Sequence, residues 1–385
     1  MLVKIARIAS LVVVLALLGA LGVCGRGGAP KSAGSTSASA LPPPAPRPTA
    51  RPRVPIIDAH VHLSSTGTDR LAQLMERYGF DHVVNLSGGT PINGLDRQLA
   101  AAQKAHGKVT VFASLAYEQI AAPDYGARMA QLIRIAHSMG ARGVKIAKVL
   151  GLGLVDRSRK LVPIDDPGLD PAFAAAGELH MPVAIHSGDP KAFWAKADEK
   201  NERRAELLAH PGWALHGEPV PSFDEIQAAL ERRIARHPKT TFIAVHFGND
   251  AEDPDRVATL LRKYPNLTID TAARIPEMGR HPPEKMRAFF IEFQDRILFG
   301  SDLGVGPAPE PLFLGSSGAD PPTDREEKLF FSATHRYFET ADRDFEHPTP
   351  IQGLWKISGI SLPPEVLEKV YWRNAARLLD IQLTR

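Results

Sequence analysis

The sequence predicts an α/β fold, a (β/α)8 TIM barrel with long insertions after strands 5 and 8. Three observations carry that expectation. Past residue 54, eight short runs rich in β-branched residues alternate with longer amphipathic stretches. The short runs are apolar throughout rather than alternating, as in parallel strands buried on both faces. Histidines recur at their carboxyl ends, where such barrels build their sites.

The expected strands are Ile56–His62, His82–Ser87, Val109–Leu115, Gly143–Val149, Pro182–His186, Thr241–His246, Leu267–Thr271 and Ile297–Ser301. Between them the spacing predicts helices over Asp69–Tyr78, Leu95–His106, Ala127–Met139, Pro171–His180, Phe223–His237, Pro254–Tyr264 and Pro283–Gln294. A last helix, Pro364–Leu379, starts at Pro363-Pro364, where a missing N–H costs nothing. An open doubly wound sheet is the runner-up, weakened because no glycine-rich phosphate loop follows the first strand. The two insertions are Gly188–Ser222 and Leu303–Pro363, the second with a Pro/Gly-rich stretch (Pro307–Pro322) and a helix around Arg325–Glu339. Both lie on the carboxyl side of strands and read as covers for a substrate.

Not all of the 385 residues belong to the barrel. Lys4 and Arg7 precede the apolar run Leu11–Val23, so residues 1–24 read as a signal peptide. That run is about 13 residues, short of the ~20 needed to span a bilayer. Leu21-Gly22-Val23-Cys24 is similar to a bacterial lipoprotein signal, with Cys24 as the lipidation site, although Val23 stands where a small residue is usual. Residues 25–53, rich in Pro, Ala and Ser, read as a disordered tether, and 54–385 as the catalytic domain. The expected location is therefore exported, at a periplasmic or extracellular face, with any membrane attachment made through that lipid. Without Cys24 the chain has no thiol, which excludes disulfides and cysteine ligands. The net charge is only +3, and no basic run with interleaved aromatics supports nucleic-acid binding. A small-molecule substrate is expected.

The chemistry sits at strand ends. In His60-Val61-His62 the two imidazoles share one face, about 6.6 Å apart along a strand, and can share a divalent cation. Strand five ends at His186, strand six at His246 and strand eight at Asp302. Barrel topology brings these ends to one mouth. Neutral imidazoles and a carboxylate suit Zn2+, with a position left open for water whose pKa falls towards about 7. His60, His62 and His186 are the expected holders. Asp302 serves as ligand, as the base that takes the water's proton, or as both. His246 polarises the scissile group, orients the nucleophile or is a further ligand.

With these residues in place the sequence resembles the amidohydrolase superfamily. More narrowly, it resembles the amidohydrolase-related (amidohydrolase 2) branch that includes aminocarboxymuconate-semialdehyde decarboxylase-like proteins. Asn201-Glu202-Arg203, Asp270-Thr271-Ala272-Ala273-Arg274 with Glu277, Gln294–Asp302 and Tyr371–Arg377 strengthen the likeness. The resemblance implies a divalent metal on His60, His62, His186 and Asp302, and a mechanistic role for His246. In some members a strand-four lysine is carboxylated and bridges two metals. Lys145 is the candidate, with one Zn2+ the simpler expectation. Strand parity puts Lys145 and Lys148 on opposite faces, so at most one points inward. Arg274 can pair with a substrate carboxylate, or with Glu277 one turn on. Arg336, Trp355 and Trp194 are candidates for the substrate wall. The implied function is a metal-dependent hydrolase of a small amide, lactone or ester. A non-oxidative decarboxylase (carboxy-lyase) and an inactive binding barrel are the alternatives.

Overall fold

The computed structural model of the chain describes residues 53–316 and 321–383. The expected signal peptide, Cys24 and nearly all of the tether lie outside the described residues. Among the described residues no helix is long and apolar enough to cross a membrane.

Eight parallel strands run in sequence order: β1 (Ile57–Leu63), β2 (His82–Asn85), β3 (Val109–Ser114), β4 (Gly143–Ile146), β5 (Val183–Ile185), β6 (Phe242–Ala244), β7 (Leu267–Asp270) and β8 (Ile297–Leu298). The sheet closes because Ala59 N donates to Phe299 O (2.8 Å) and Asp302 N to His60 O (2.9 Å). A short β9 (Leu303–Val305) then pairs parallel with β1, and β10 (Phe313–Leu314) antiparallel with β9. Gly300 permits the close approach, since a Cβ there would sit 3.0 Å from His60 Cβ.

Most strands end earlier than the apolar runs predict. The backbone stops pairing where residues turn into the mouth, so Val149, His186, His246 and Ser301 lie beyond their strands. The predicted helices are present with ends shifted by a few residues, and the last helix contains a π-helical stretch, Lys369–Arg373. Its Val370 carbonyl accepts from Phe299 N at 2.9 Å, which fixes the final strand.

Alternate strand residues divide the core. Ile57, Ala59, Val84, Leu86, Phe112, Ala184, Ile243 and Leu298 form one apolar cluster, completed by Ala375 and Leu379 of the last helix. The other parity, including Val61, Leu63, Val83, Val144, Ile146, Val183, Ile185 and Ile269, packs in a second cluster with the surrounding helices. On β1 the parity breaks at a register shift between Asp58 and Val61. That bulge is what sends His60 and His62 inward while Ile57 and Ala59 also face in.

Between β5 and the helix Phe223–Arg236, which opens on a Ser222/Glu225 capping box, lie the short helices Lys191–Trp194, Arg204–Ala209 and Pro211–Trp213. Asn201 Nδ2 donates to the carbonyls of Ala192 (2.9 Å) and Lys196 (3.1 Å), and Arg203, fully buried, pairs with Glu206 (2.8 Å) and with Glu277. The insertion after β5 is thus tied to the segment after β7.

Candidate functional site

His60 sets the geometry. Its side chain is wholly buried, and Nδ1 lies 2.8 Å from Asp270 Oδ2. A buried carboxylate accepts here, so Nδ1 carries the proton and Nε2 keeps its lone pair. Asp270 Oδ1 accepts from His246 N (2.7 Å) and Ala272 N (3.2 Å), which pins the carboxylate. His60 Nε2 then faces Asp302 Oδ1 at 3.3 Å, and His62 Nε2 is the same 3.3 Å from that oxygen. His62 Nδ1 is held by Ser87 Oγ at 2.6 Å.

His246 lies between His60 and His186, with ring centroids 4.8 Å and 4.3 Å away. Its Nδ1 is 2.9 Å from Ala272 O, which can only accept, so Nε2 again carries the lone pair. Left-handed backbone at His246 (φ 56°), Phe247 (φ 57°), Ala273 (φ 55°) and Asp302 (φ 67°) turns the chain into the mouth at three strand ends. Such conformations cost of order 1 kcal/mol or more each for residues with a Cβ and gather at functional sites.

Burial pushes the imidazoles of His60, His186 and His246 well below the ordinary 6.5, and the nearby Lys145 adds to the effect at the first two. Asp302 is held below the ordinary carboxylate range despite its burial, and the carboxylate stays ionised. Lys145 Nζ is buried without a hydrogen-bond partner among the described residues, and burial lowers it to about 8 against the opposing pull of Asp270 and Asp302.

Do these residues fit a metal? His60 Nε2 and Asp302 Oδ1 face each other across 3.3 Å, and with Nδ1 donating to Asp270 and burial disfavouring the charged ring, both atoms are acceptors. Ligand atoms on one tetrahedral Zn2+, with bonds of roughly 2.0–2.1 Å, stand about 3.3–3.4 Å apart. The buried Nε2 atoms of His60 and His186 have no hydrogen-bond partner among the described residues. Two triads offer ligand atoms within 4.8 Å of one another, His60/His62/Asp302 and His60/His246/Asp270. In the second, the His60–Asp270 contact is the hydrogen bond through Nδ1, so the lone pair of Nε2 serves the first. The fit is good.

The structure brings His60, His62, His186, His246, Asp302 and Lys145 to one mouth. It corrects the lysine parity, because β4 ends at Ile146. Lys148 lies beyond the strand and reaches the mouth as well, where its Nζ is 2.9 Å from both oxygens of Asp189. It also corrects the Arg274–Glu277 pairing, since Glu277 is taken by Arg203. Arg336 is exposed and pairs with Asp342 (2.6 Å), so it forms no substrate wall. Asp270 is the functional residue that sequence reasoning missed as such; its place at the end of β7, level with the histidines and Asp302 at the other strand ends, was the available signal.

The amidohydrolase family profile matches residues 57–381. The chain belongs to the amidohydrolase family. Amidohydrolases are typically metal-dependent enzymes, in keeping with the donor set above. Among solved structures, this amidohydrolase is similar to an uncharacterised TIM-barrel protein from Bordetella bronchiseptica (16% identity, 85% of this chain and 98% of that chain, TM-score 0.49). It is also similar to a probable 2-pyrone-4,6-dicarboxylic acid hydrolase from Acinetobacter baumannii (13%, 84% and 99%, 0.48). A third is 2,6-dihydroxybenzoate decarboxylase from Rhizobium (17%, 85% and 98%, 0.47). No curated protein matches the chain.

Proposed function

We propose that this amidohydrolase is a metal-dependent hydrolase of a small amide, lactone or ester. The observation that carries the reading is the pair of lone pairs, His60 Nε2 and Asp302 Oδ1, held 3.3 Å apart by Asp270 behind the imidazole. A divalent ion, most simply one Zn2+, held there by His60, His62 and Asp302 with His186 nearby, supplies Lewis acidity and a water of lowered pKa.

The rest is done by side chains. Asp302, ionised beside His60 and His62, accepts the proton of the attacking water. His246 presents an unprotonated Nε2, because Nδ1–H is committed to Ala272 O. It therefore orients the nucleophile by accepting a hydrogen bond, or acts as a further ligand. Burial opposes the protonated form it would need to donate to a developing oxyanion. Ser87 fixes the His62 ring.

A non-oxidative decarboxylase would use the same ligands, and the buried cations at the mouth suit its carboxylate substrate. Purified, metal-analysed protein assayed for both CO2 release and hydrolysis, over lactones, N-acyl amides and aromatic acids, decides between them. Hydrolysis without CO2 supports the proposal. CO2 release alone replaces it with the decarboxylase, and inactivity with metal fully loaded replaces it with a binding barrel.

A further inference from the structure

The two histidines of β1 are backed by groups of different kinds. Behind His60 stands Asp270, a carboxylate that only accepts, pinned by two backbone N–H groups. Behind His62 stands Ser87, whose hydroxyl lies 2.6 Å from Nδ1 and is able to donate or accept. Among the described residues that hydroxyl has no second hydrogen-bond partner to fix its direction. The residue itself is held in place. Asn85, wholly buried, accepts from Ser87 N at 2.9 Å and from Leu63 N at 3.0 Å, which ties Ser87 to β1. The Asn85 amide in turn donates to Gln98 Oε1 at 3.0 Å. Ser87 therefore keeps its position against His62 while its hydroxyl hydrogen is free to turn.

Three atoms converge on the other side of these rings. His60 Nε2 and His62 Nε2 each lie 3.3 Å from Asp302 Oδ1. With a lone pair on all three, they repel one another unless a cation or a proton stands among them. On His60 Nε2 the proton would leave Asp270 Oδ2 without its donor. On Asp302 it would neutralise a carboxylate that stays ionised. His62 carries it at no such cost, since Ser87 is able to turn and donate to the vacated Nδ1. His62 is also the outer of the two imidazoles, its side chain 30% exposed against 0% for His60.

We propose that Ser87 is a two-way positioning residue that lets His62 exchange tautomers as the metal site is emptied and filled. In metal-stripped protein Nε2 carries the ring proton and presents it to Asp302 Oδ1, while Ser87 donates to Nδ1. In loaded protein the ring proton sits on Nδ1, Ser87 accepts it, and the Nε2 lone pair is a ligand. The ring holds one proton and Ser87 one in both states. One proton leaves Nε2 for water and one is taken from water at Nδ1, so no charge is gained or lost. His60, locked by Asp270, keeps its tautomer throughout and is the fixed ligand of the pair. This rests on the metal reading of the site and not on whether hydrolysis or decarboxylation follows.

The test uses the full chain with isotopically labelled histidines, metal-stripped and then loaded with Zn2+, at about pH 8, where an unperturbed imidazole is neutral. Nitrogen NMR reports which ring nitrogen carries the hydrogen, and His62→Gln assigns the His62 signals. Metal-stripped wild type should show His62 as the Nε2–H tautomer and His60 as the Nδ1–H tautomer, and Zn2+ should turn His62 alone to Nδ1–H. Ser87→Ala removes the acceptor for that Nδ1–H. Chelator competition should then show Zn2+ affinity reduced roughly 10-fold, the lower end for a lost outer partner, because water reaches this half-exposed ring. Ser87→Thr keeps the hydroxyl and should stay within about 3-fold of wild type. An Nδ1–H tautomer or a doubly protonated ring at His62 in metal-stripped wild type overturns the proposal, as does a Ser87→Ala affinity equal to that of wild type. Should Ser87→Ala not fold, the two wild-type spectra decide alone. A wild type that binds no Zn2+ defeats the metal reading and the exchange together, whereas a wrong tautomer in protein that binds Zn2+ defeats the exchange alone, so the two failures are distinguishable.

Discussion

Replacing Asp270 by asparagine exchanges one oxygen for an NH2 and should invert the tautomer of His60. Asp270 Oδ1 receives two backbone N–H groups, from His246 at 2.7 Å and Ala272 at 3.2 Å. The amide oxygen of the variant must stay there, which turns Nδ2 towards His60 Nδ1, now 2.8 Å from a carboxylate oxygen. Two donors cannot face one another, so His60 moves its proton to Nε2. The nitrogen that faces Asp302 is then blocked as a ligand. Loss of an outer partner of a metal-binding histidine typically costs about 10–100-fold in metal affinity. Because a proton here also occupies the ligand atom, the upper end, about 100-fold, is expected. Activity at saturating Zn2+ should fall by on the order of 10²–10⁴, as when a catalytic histidine is held in the wrong tautomer. Chelator competition gives the affinity, elemental analysis the occupancy, and circular dichroism shows that the fold is kept. A folded Asp270→Asn protein with Zn2+ affinity within about 3-fold of wild type refutes the argument.

Asp302→Asn, nearly isosteric, should retain the fold yet lose on the order of 10²–10⁴ in kcat as a missing general base, and near wild-type turnover with metal loaded would exclude that role. Ser301 Oγ donates to Asp58 Oδ2 at 2.5 Å in a buried setting, and burial pushes Asp58 up to about 7. Ser301→Ala leaves that oxygen short of a partner, so urea unfolding should show a loss of about 1–3 kcal/mol; an unchanged midpoint would contradict it. Burial holds His82 down to about 4 against an ordinary 6.5. As pH falls below 6.5 the unfolded chain takes that proton first, so the stability His82 confers is full above 6.5 and lost by about pH 4. Tm followed against pH in chelator should decline over that window, and less steeply in His82→Gln. Parallel curves would show that another group is responsible.

The eight strands and the inward set His60, His62, His186, His246 and Asp302 were legible in the sequence because the apolar runs are short and their ends are chemically distinctive. Strand parity was less legible. The bulge after Asp58 reverses β1, and β4 stops before Lys148, so a strict period of two fails at both places. Asp270 stands out in the sequence only as part of a family motif, since its function depends on His60, 210 residues away in sequence. The Arg203–Glu277 pair was hidden for the same reason. Local spacing offered Glu277 to Arg274, and only the folded insertion after β5 brings Arg203 to it.

The seam between the first and last strands has a consequence for how the protein is made. His60 and His62 come from the first strand, whereas Asp302 follows the eighth and is hydrogen-bonded directly to His60 O. No contiguous half of the barrel contains all three. A nascent chain that has emerged only as far as β7 carries all four imidazoles and Asp270 but not the carboxylate opposite His60 and His62, and a truncation that removes β1 loses those two histidines outright. The site is therefore a proofreading mark: it comes into existence only when the whole barrel has been synthesised and its ends have met.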